Sequence, residues 1–525
     1  MNWRHYVFLF LVGLIVPFTI SRFQSLPGYM DADYYYAGGI QLAAGRGFTE
    51  PYIWNYLGDP QGLPTPSHTY WMPLASIVSA AGMWIAGSTS YEAGRIPFIL
   101  LSACVPLLTA TLAYSLSRKT LPAMVSGLLS VFALYYSPFM PVPDNFAIFM
   151  LLGGTFLLLA PCPQKWIPLM LGALSGLMTL ARSDGLLWLG LAGLIVMWKA
   201  AYKEDGTKNT FLDWFNLIVP SGLLAVLGYL LVMGPWHGRN LNLFGSFMTP
   251  GGGRLLWLEN YDQTFAYPAE TITREGFLNA GWKAALQDRL AAFDSNFRNA
   301  VGAQGELFLI PFIMIGLWHL RNDMRTKITV TGWLLLFAVM TVIFPFAGSR
   351  GSFFHSGAAF QPYWWAVAPI GMDILLDVGY EKKKITDPNL RIVTQVSLVL
   401  IAFIATFYLV FDHTIEGGGK KEDAVYPSVE DKLLDSGISP NDVVIVRNPP
   451  GYYISTGRSA IVLPFGGESA ILTVAEKFGA RYLIIEKGGT YDGIQDLYDD
   501  PRGNPSFEFL GEVDGARLYQ ITNAP

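Results

Sequence analysis

Met30-Asp31-Ala32-Asp33-Tyr34-Tyr35-Tyr36 follows an apolar stretch, Tyr6 to Ile20, and precedes a long series of further apolar runs. A carboxylate beside hydrocarbon is costly to ionise, so an acidic pair with three tyrosines where a membrane segment emerges into water marks a candidate catalytic site. Two-residue spacing makes the aspartates diverge on a helix and point to opposite sides of an extended loop. A helix is expected over Tyr34 to Ala44, amphipathic enough to lie in the membrane interface. An aspartate near its start gains from the helix dipole, whether as a cap or as a reacting group.

Outward from this motif, the composition is that of a polytopic α-helical membrane protein. Of 525 residues 52% are hydrophobic and only 14% are charged, against roughly 25% in a soluble domain. Runs of spanning or near-spanning length are Tyr6 to Ile20, Ile96 to Leu116, Leu121 to Tyr136, Phe146 to Ala160, Trp166 to Leu180, Leu186 to Trp198, Trp214 to Met233, Leu307 to Leu320, Ile328 to Phe346, Tyr363 to Leu376 and Val393 to Phe411. These predict about eleven transmembrane helices. Tyr6 to Ile20 resembles a signal sequence, but with no small-x-small site before Gln24 it reads as an uncleaved anchor.

A cytoplasmic amino terminus places Arg118-Lys119, Lys165, the Lys199/Lys203/Lys208 loop, Arg321/Arg325/Lys327 and Glu381-Lys382-Lys383-Lys384 on the inner side. This requires that Trp71 to Gly87 not cross, so it is expected to be juxtamembrane or re-entrant. A transmembrane unit 1–411 then presents outer loops 21–94, 234–306 and 347–362, followed by a small extracytoplasmic α/β domain, 412–525. The tail carries β-rich runs, Val443 to Val446 and Tyr482 to Ile485, around a helical pattern from Glu468 to Phe478. Gly417-Gly418-Gly419 is a plausible hinge between the two.

Several outer residues carry candidate chemistry. Asp144, after Pro141-Val142-Pro143, places a second carboxylate at the same depth as Asp31 and Asp33. Arg182 and Asp184 form a tight outer turn, where they either pair with each other or leave Arg182 for an anionic head group. Arg239 and His237 beside Trp236, and Arg350 and His355 among Phe353 and Phe354, suit phosphate and sugar, since arginine offers forked donors and aromatic rings stack on sugar C–H faces. His68 is a weaker candidate. Gly417 to Lys421 lacks the spacing of a phosphate-binding loop, and Gly251-Gly252-Gly253 lacks a dinucleotide-fold context. No Cys/His pattern suggests zinc, Cys104 and Cys162 imply no bridge, and a basic nucleic-acid surface is missing.

These residues resemble the GT-C type of membrane glycosyltransferase, specifically the family of protein O-mannosyltransferases and lipid A aminoarabinose transferases (glycosyltransferase family 39-like). The resemblance is carried by Asp31, Tyr35 and Ile40-Gln41-Leu42-Ala43-Ala44-Gly45, the stretch Pro66 to Trp71, Gly94-Arg95-Ile96-Pro97, Asp144, and Arg182 to Gly185. Two departures matter. The family's Asp-Glu is Asp31-Ala32 here, so Asp33 replaces the glutamate or the register starts at Asp33. A lysine common before the Pro-rich stretch is missing, leaving His68, Arg350 or His355 for phosphate.

The resemblance implies a hexosyl- or pentosyltransferase at the cell membrane. Its donor would be a polyprenyl-phosphate sugar, and its acceptor a hydroxyl of protein, lipid or glycan on the outer face. Asp31 or Asp33 would act as general base with inversion, and Asp144 would be a further catalytic carboxylate. Tyr35, His68, Arg182, Arg239, Arg350 and His355 would bind donor phosphate and sugar. No cofactor is certain, and a divalent metal on Asp31 and Asp33 stays open. An oligosaccharyltransferase, glycan polymerase or ligase is the alternative within this chemistry, and a lipid or solute transporter the alternative outside it.

Overall fold

The computed structural model describes residues 1–201, 207–382, 387, 389–416, 425–491 and 493–522. The expected Gly417-Gly418-Gly419 hinge and Lys203, Lys383 and Lys384 of the basic loops lie outside the described residues.

Among the described residues six helices are long and apolar enough to cross a bilayer: Trp3–Ser21, Tyr91–Ser117, Ser183–Ala201, Phe211–Phe244, Met324–Ile343 and Leu390–Glu416. A seventh arises if Arg274–Gln304 and Leu307–His319, bent by 76° at Gly305-Glu306, are one broken span. The chain is thus a multi-pass membrane protein. The difference from eleven lies in length and charge. Thr120–Val131, Phe146–Leu159 and Ile167–Ala181 are helices of 12, 14 and 15 residues, shorter than the roughly 20 residues that a straight span needs. Gln361–Glu381 is long enough but carries Asp373, Asp377 and Glu381, and Asp373 is tied to Lys119 (2.5 Å) and Arg391 (2.6 Å). Trp71 to Gly87 holds a helix of only 13 residues, Leu74–Ala86. The expected outer loop 234–306 starts inside a helix, because Phe211–Phe244 runs on through Pro235.

Small residues let these helices approach closely, as packing within a bilayer favours. Gly172 of Ile167–Ala181 faces Ala225, and Gly228 of Phe211–Phe244 faces Leu169 and Ala173. A Cβ at Gly172 would overlap the Ala225 carbonyl, and one at Gly228 the Leu169 carbonyl.

The segment 21–94 carries strands β1 (Thr49–Glu50), β2 (Tyr52–Ile53) and β3 (Thr65–Pro66). The carboxy-terminal residues supply β4 (Val443–Val446), β5 (Ala460–Val462), β6 (Ala480–Ile485), β7 (Phe507–Val513) and β8 (Ala516–Ile521), with the expected helix at Glu468–Phe478. They form one sheet in the order β2-β5-β4-β6-β8-β7, parallel from β2 to β6 and antiparallel beyond. Every residue of β4 and β5 is buried, which suits strands covered on both faces. The sheet is not built from the tail alone: β2 extends its parallel edge, and Tyr56 Oη donates to the Val462 carbonyl at 2.6 Å.

The helix of the acidic motif spans Met30–Ala43. Its faces are covered by protein: Ala32 to Gly39 and Gln41 are all buried. Gly38 and Gly39 bring it against Ser76 and Ser79 of Leu74–Ala86, and Pro449–Thr456 of the tail covers another side.

Candidate functional site

Met30–Ala43 begins after Tyr29, with no side-chain cap, and holds both Asp31 and Asp33 in its first turn, where the helix dipole favours negative charge. At 3.6 residues per turn, residues two apart lie on nearly opposite sides. Asp31 turns toward Asp144 and His355, whereas Asp33 turns into the interface with the tail and accepts from Asn448 Nδ2 at 2.8 Å.

Three distant segments meet at Asp31. His355 Nε2 lies 3.6 Å from Asp31 Oδ2 and 3.2 Å from Asp144 Oδ2. Asp144 is buried just ahead of the helix Phe146–Leu159, and it accepts from Tyr29 Oη at 2.6 Å and from the Asn145 backbone N–H at 2.5 Å. His355 sits on the short helix Phe353–Gly357, stacked on Phe146 with ring centroids 4.3 Å apart. Its Nδ1 faces the Gly351 carbonyl at 3.0 Å and so must be the donor there. That leaves Nε2 either protonated against two carboxylates or holding a lone pair between them. Tyr35 Oη accepts from Asn145 Nδ2 at 2.7 Å, and the buried Arg182, paired with Asp184 at 3.2 Å, lies within electrostatic reach of Asp31, Asp144 and Tyr35.

The electrostatics separate the two carboxylates. Burial pushes Asp31 up to about 6, with the nearby charge of His355 opposing and that of Asp144 adding. Burial acts on Asp144 in the same direction, but His355 and the Tyr29 and Asn145 donors outweigh it and hold Asp144 below the ordinary carboxylate range. Burial alone would favour a neutral His355, yet Asp144 and Asp31 raise it above its ordinary value. One carboxyl is therefore poised near neutrality beside another that stays ionised, the arrangement that divides roles in many active sites.

The donor atoms of Asp31, Asp144 and His355 all lie within 4.8 Å of one another. Two hard carboxylate oxygens and an imidazole nitrogen, the latter oriented through its Nδ1 hydrogen bond, suit a divalent cation such as Zn²⁺ or Mn²⁺. The ligand set that fits is Asp31 with Asp144 and His355, and Asp33 is not part of it.

Other expected residues lie elsewhere. His68 is buried, with Nδ1 at 2.8 Å from Ser67 Oγ and Nε2 at 2.9 Å from Ser76 Oγ, and burial and then the Arg239 charge lower it to about 3. Arg239 donates to the Ser67 carbonyl at 2.7 Å and stacks on Trp236 at 4.4 Å, fastening the segment 21–94 to Phe211–Phe244. Arg350 is exposed, its guanidinium 4.8 Å from the ring centre of Tyr261, and Tyr261 is within electrostatic reach of Asp31. Tyr29 and Asn145 were not singled out from the sequence, although each adjoins a residue that was.

No family model matches the chain, and no curated protein matches it. Solved structures do. ArnT from Cupriavidus metallidurans bound to undecaprenyl phosphate has a TM-score of 0.58 at 12% identity, covering 100% of this chain and 99% of that one. The Archaeoglobus fulgidus oligosaccharyltransferase tethered to an acceptor peptide has a TM-score of 0.53 at 14% identity, over 95% of this chain and 70% of that one. The same oligosaccharyltransferase in complex with Zn and sulfate has a TM-score of 0.52 at 13% identity, over 97% and 72%. The chain has the fold of the GT-C membrane glycosyltransferases.

Proposed function

We propose that this protein is a membrane glycosyltransferase that moves a sugar from a polyprenyl-phosphate donor to an acceptor hydroxyl on the outer face of the cell membrane. The reading is carried by the convergence of Asp31, Asp144 and His355, from three separate segments, on one point beside Arg182. It is supported by a fold shared with a protein crystallised with undecaprenyl phosphate. In this reading the short helices 120–131, 146–159 and 167–181 and the charged helix 361–381 complete about eleven passes, with the amino terminus cytoplasmic and the tail outside.

Asp31 is the general base. A carboxylate raised to about 6 is mostly ionised at neutral pH and more basic than an exposed aspartate, so it accepts the proton of the attacking hydroxyl efficiently. In-line attack inverts the anomeric centre as the bond to the phosphate oxygen breaks. Arg182 and a protonated His355 would stabilise negative charge on the leaving phosphate, with the exposed Arg350, stacked on Tyr261, as a further cation. Asp144, fixed by Tyr29 and Asn145, keeps His355 oriented. Where a divalent cation is bound instead, Asp31, Asp144 and the Nε2 lone pair of a neutral His355 would hold it, and it would supply Lewis-acid stabilisation of phosphate oxygens in place of the imidazolium.

Purified protein incubated with labelled polyprenyl-phosphate sugars, with and without chelator, tests the assignment. Asp31→Asn in a folded, membrane-inserted protein should lower transfer by at least about 100-fold. Wild-type rates in that variant would refute the role of Asp31.

A further inference from the structure

Asp33 is fully buried two residues from Asp31, and its polar environment includes the tail of the chain rather than the cluster around His355. Its partner Asn448 does two things at once. Nδ2 donates to Asp33 Oδ2 at 2.8 Å, and Oδ1 accepts from the Gly451 N–H at 3.2 Å, capping the helix Pro449–Thr456. From the same helix Tyr453 Oη accepts from Gln41 Nε2 at 2.8 Å, two turns further along Met30–Ala43. Tyr52 in β2 packs its ring against Tyr453, with centroids 5.8 Å apart. The helix holding Asp31 is thus tied near both ends to the tail segment 448–456, and Tyr52 of the edge strand β2 also packs on its Tyr34, with centroids 5.9 Å apart. None of these links is among the residues that face Asp144 and His355.

We infer that Asp33 is a positioning residue: through Asn448 it docks the carboxy-terminal sheet on Met30–Ala43 and so sets where Asp31 stands relative to Asp144 and His355. The functional weight of this docking rests on the role proposed for Asp31. Arg447, next to Asn448, is held by Glu486 through its backbone N–H at 3.2 Å and lies in electrostatic reach of Tyr261.

The chemistry of the pair allows a clean test. Asn448→Asp keeps the helix cap, since aspartate caps as well as asparagine, but sets a carboxylate against the buried Asp33. Adding Asp33→Asn restores a donor–acceptor pair with its polarity reversed. Hydrogen exchange of the full-length protein in detergent should show the amides of residues 30–43 exchanging at least tenfold faster in Asn448→Asp. The double variant should return to within about twofold of wild type. Over the same variants, Mn²⁺ affinity measured by calorimetry on metal-free protein should fall about tenfold and recover, a readout that loss of stability alone would not move in the folded fraction. Unchanged exchange in Asn448→Asp, or a double variant no better than the single one, overturns the inference. So does wild-type Mn²⁺ affinity in an Asn448→Asp protein whose exchange has risen. If the wild-type protein binds no Mn²⁺, the metal part of the proposed function falls, and the exchange comparison alone decides the docking role of Asp33.

Discussion

Glu50 offers a quantitative test that requires no substrate. It lies in β1 with 4% exposure, beside Tyr34 of the acidic-motif helix and within reach of the Arg239 charge. Burial pushes its carboxyl from 4.5 up to about 8, with the Tyr34 hydrogen bond and Arg239 only partly offsetting this. A group whose folded-state value is raised holds its proton in the fold while the unfolded chain has already lost it. The folded state therefore binds more protons between about 4.5 and 8, and stability falls across that window as pH rises. At 1.36 kcal/mol for each tenfold change, complete ionisation costs the fold up to roughly 5 kcal/mol. Glu50→Gln removes the titration but keeps the shape and an acceptor for Tyr34. Melting followed by intrinsic tryptophan fluorescence in detergent should show variant and wild type close together near pH 4.5. The variant should melt several degrees higher at pH 9. Because other groups titrate in the same range, the difference between the two proteins is the measured quantity. A difference that does not change with pH would refute the assignment of a strained, buried carboxylate to Glu50.

Tyr29→Phe removes a 2.6 Å donor from the buried Asp144 carboxylate, a charge-assisted bond worth about 1.5–3 kcal/mol. It should lower thermal stability and loosen His355, read as a change in the imidazole NMR titration, and an unaltered titration would count against the network. Gly172→Val forces a side chain into the Ala225 carbonyl, so it should cost at least about 1–3 kcal/mol and reduce the monodisperse fraction on size exclusion. Normal yield and melting would mean that the two helices do not approach so closely. Asp144→Asn should weaken Mn²⁺ binding at least tenfold while Asp184→Asn leaves it unchanged, since only Asp144 belongs to the ligand set.

Local patterns made much of this legible. Hydropathy marked the long helices, because a span is recognised by its own twenty or so residues. β4, the core of β6 and the helix Glu468–Phe478 were readable from runs of branched residues and from helical spacing. The acidic motif stood out because carboxylates beside hydrocarbon need a reason. Counting spans was less reliable, since apolar runs such as Leu121 to Tyr136 say nothing about where a helix will end: this one breaks at Phe132.

Asp31, Asp144, His355 and Arg182 could each be picked from the sequence as polar residues at an interface. Their assembly could not, because Asp144 and His355 are 211 positions apart and meet only through the packing of Phe146, Phe354 and the helices that carry them. The fates of Asp31 and Asp33 were likewise decided by the turn of one helix between two different neighbours. Residue types and hydropathy are carried by the chain itself, and they determined a membrane protein with an acidic motif. Which carboxylate faces a cation, which is sealed beneath the tail, and that β2 joins a sheet some four hundred residues away depend on non-local contacts, and only the tertiary structure decides those.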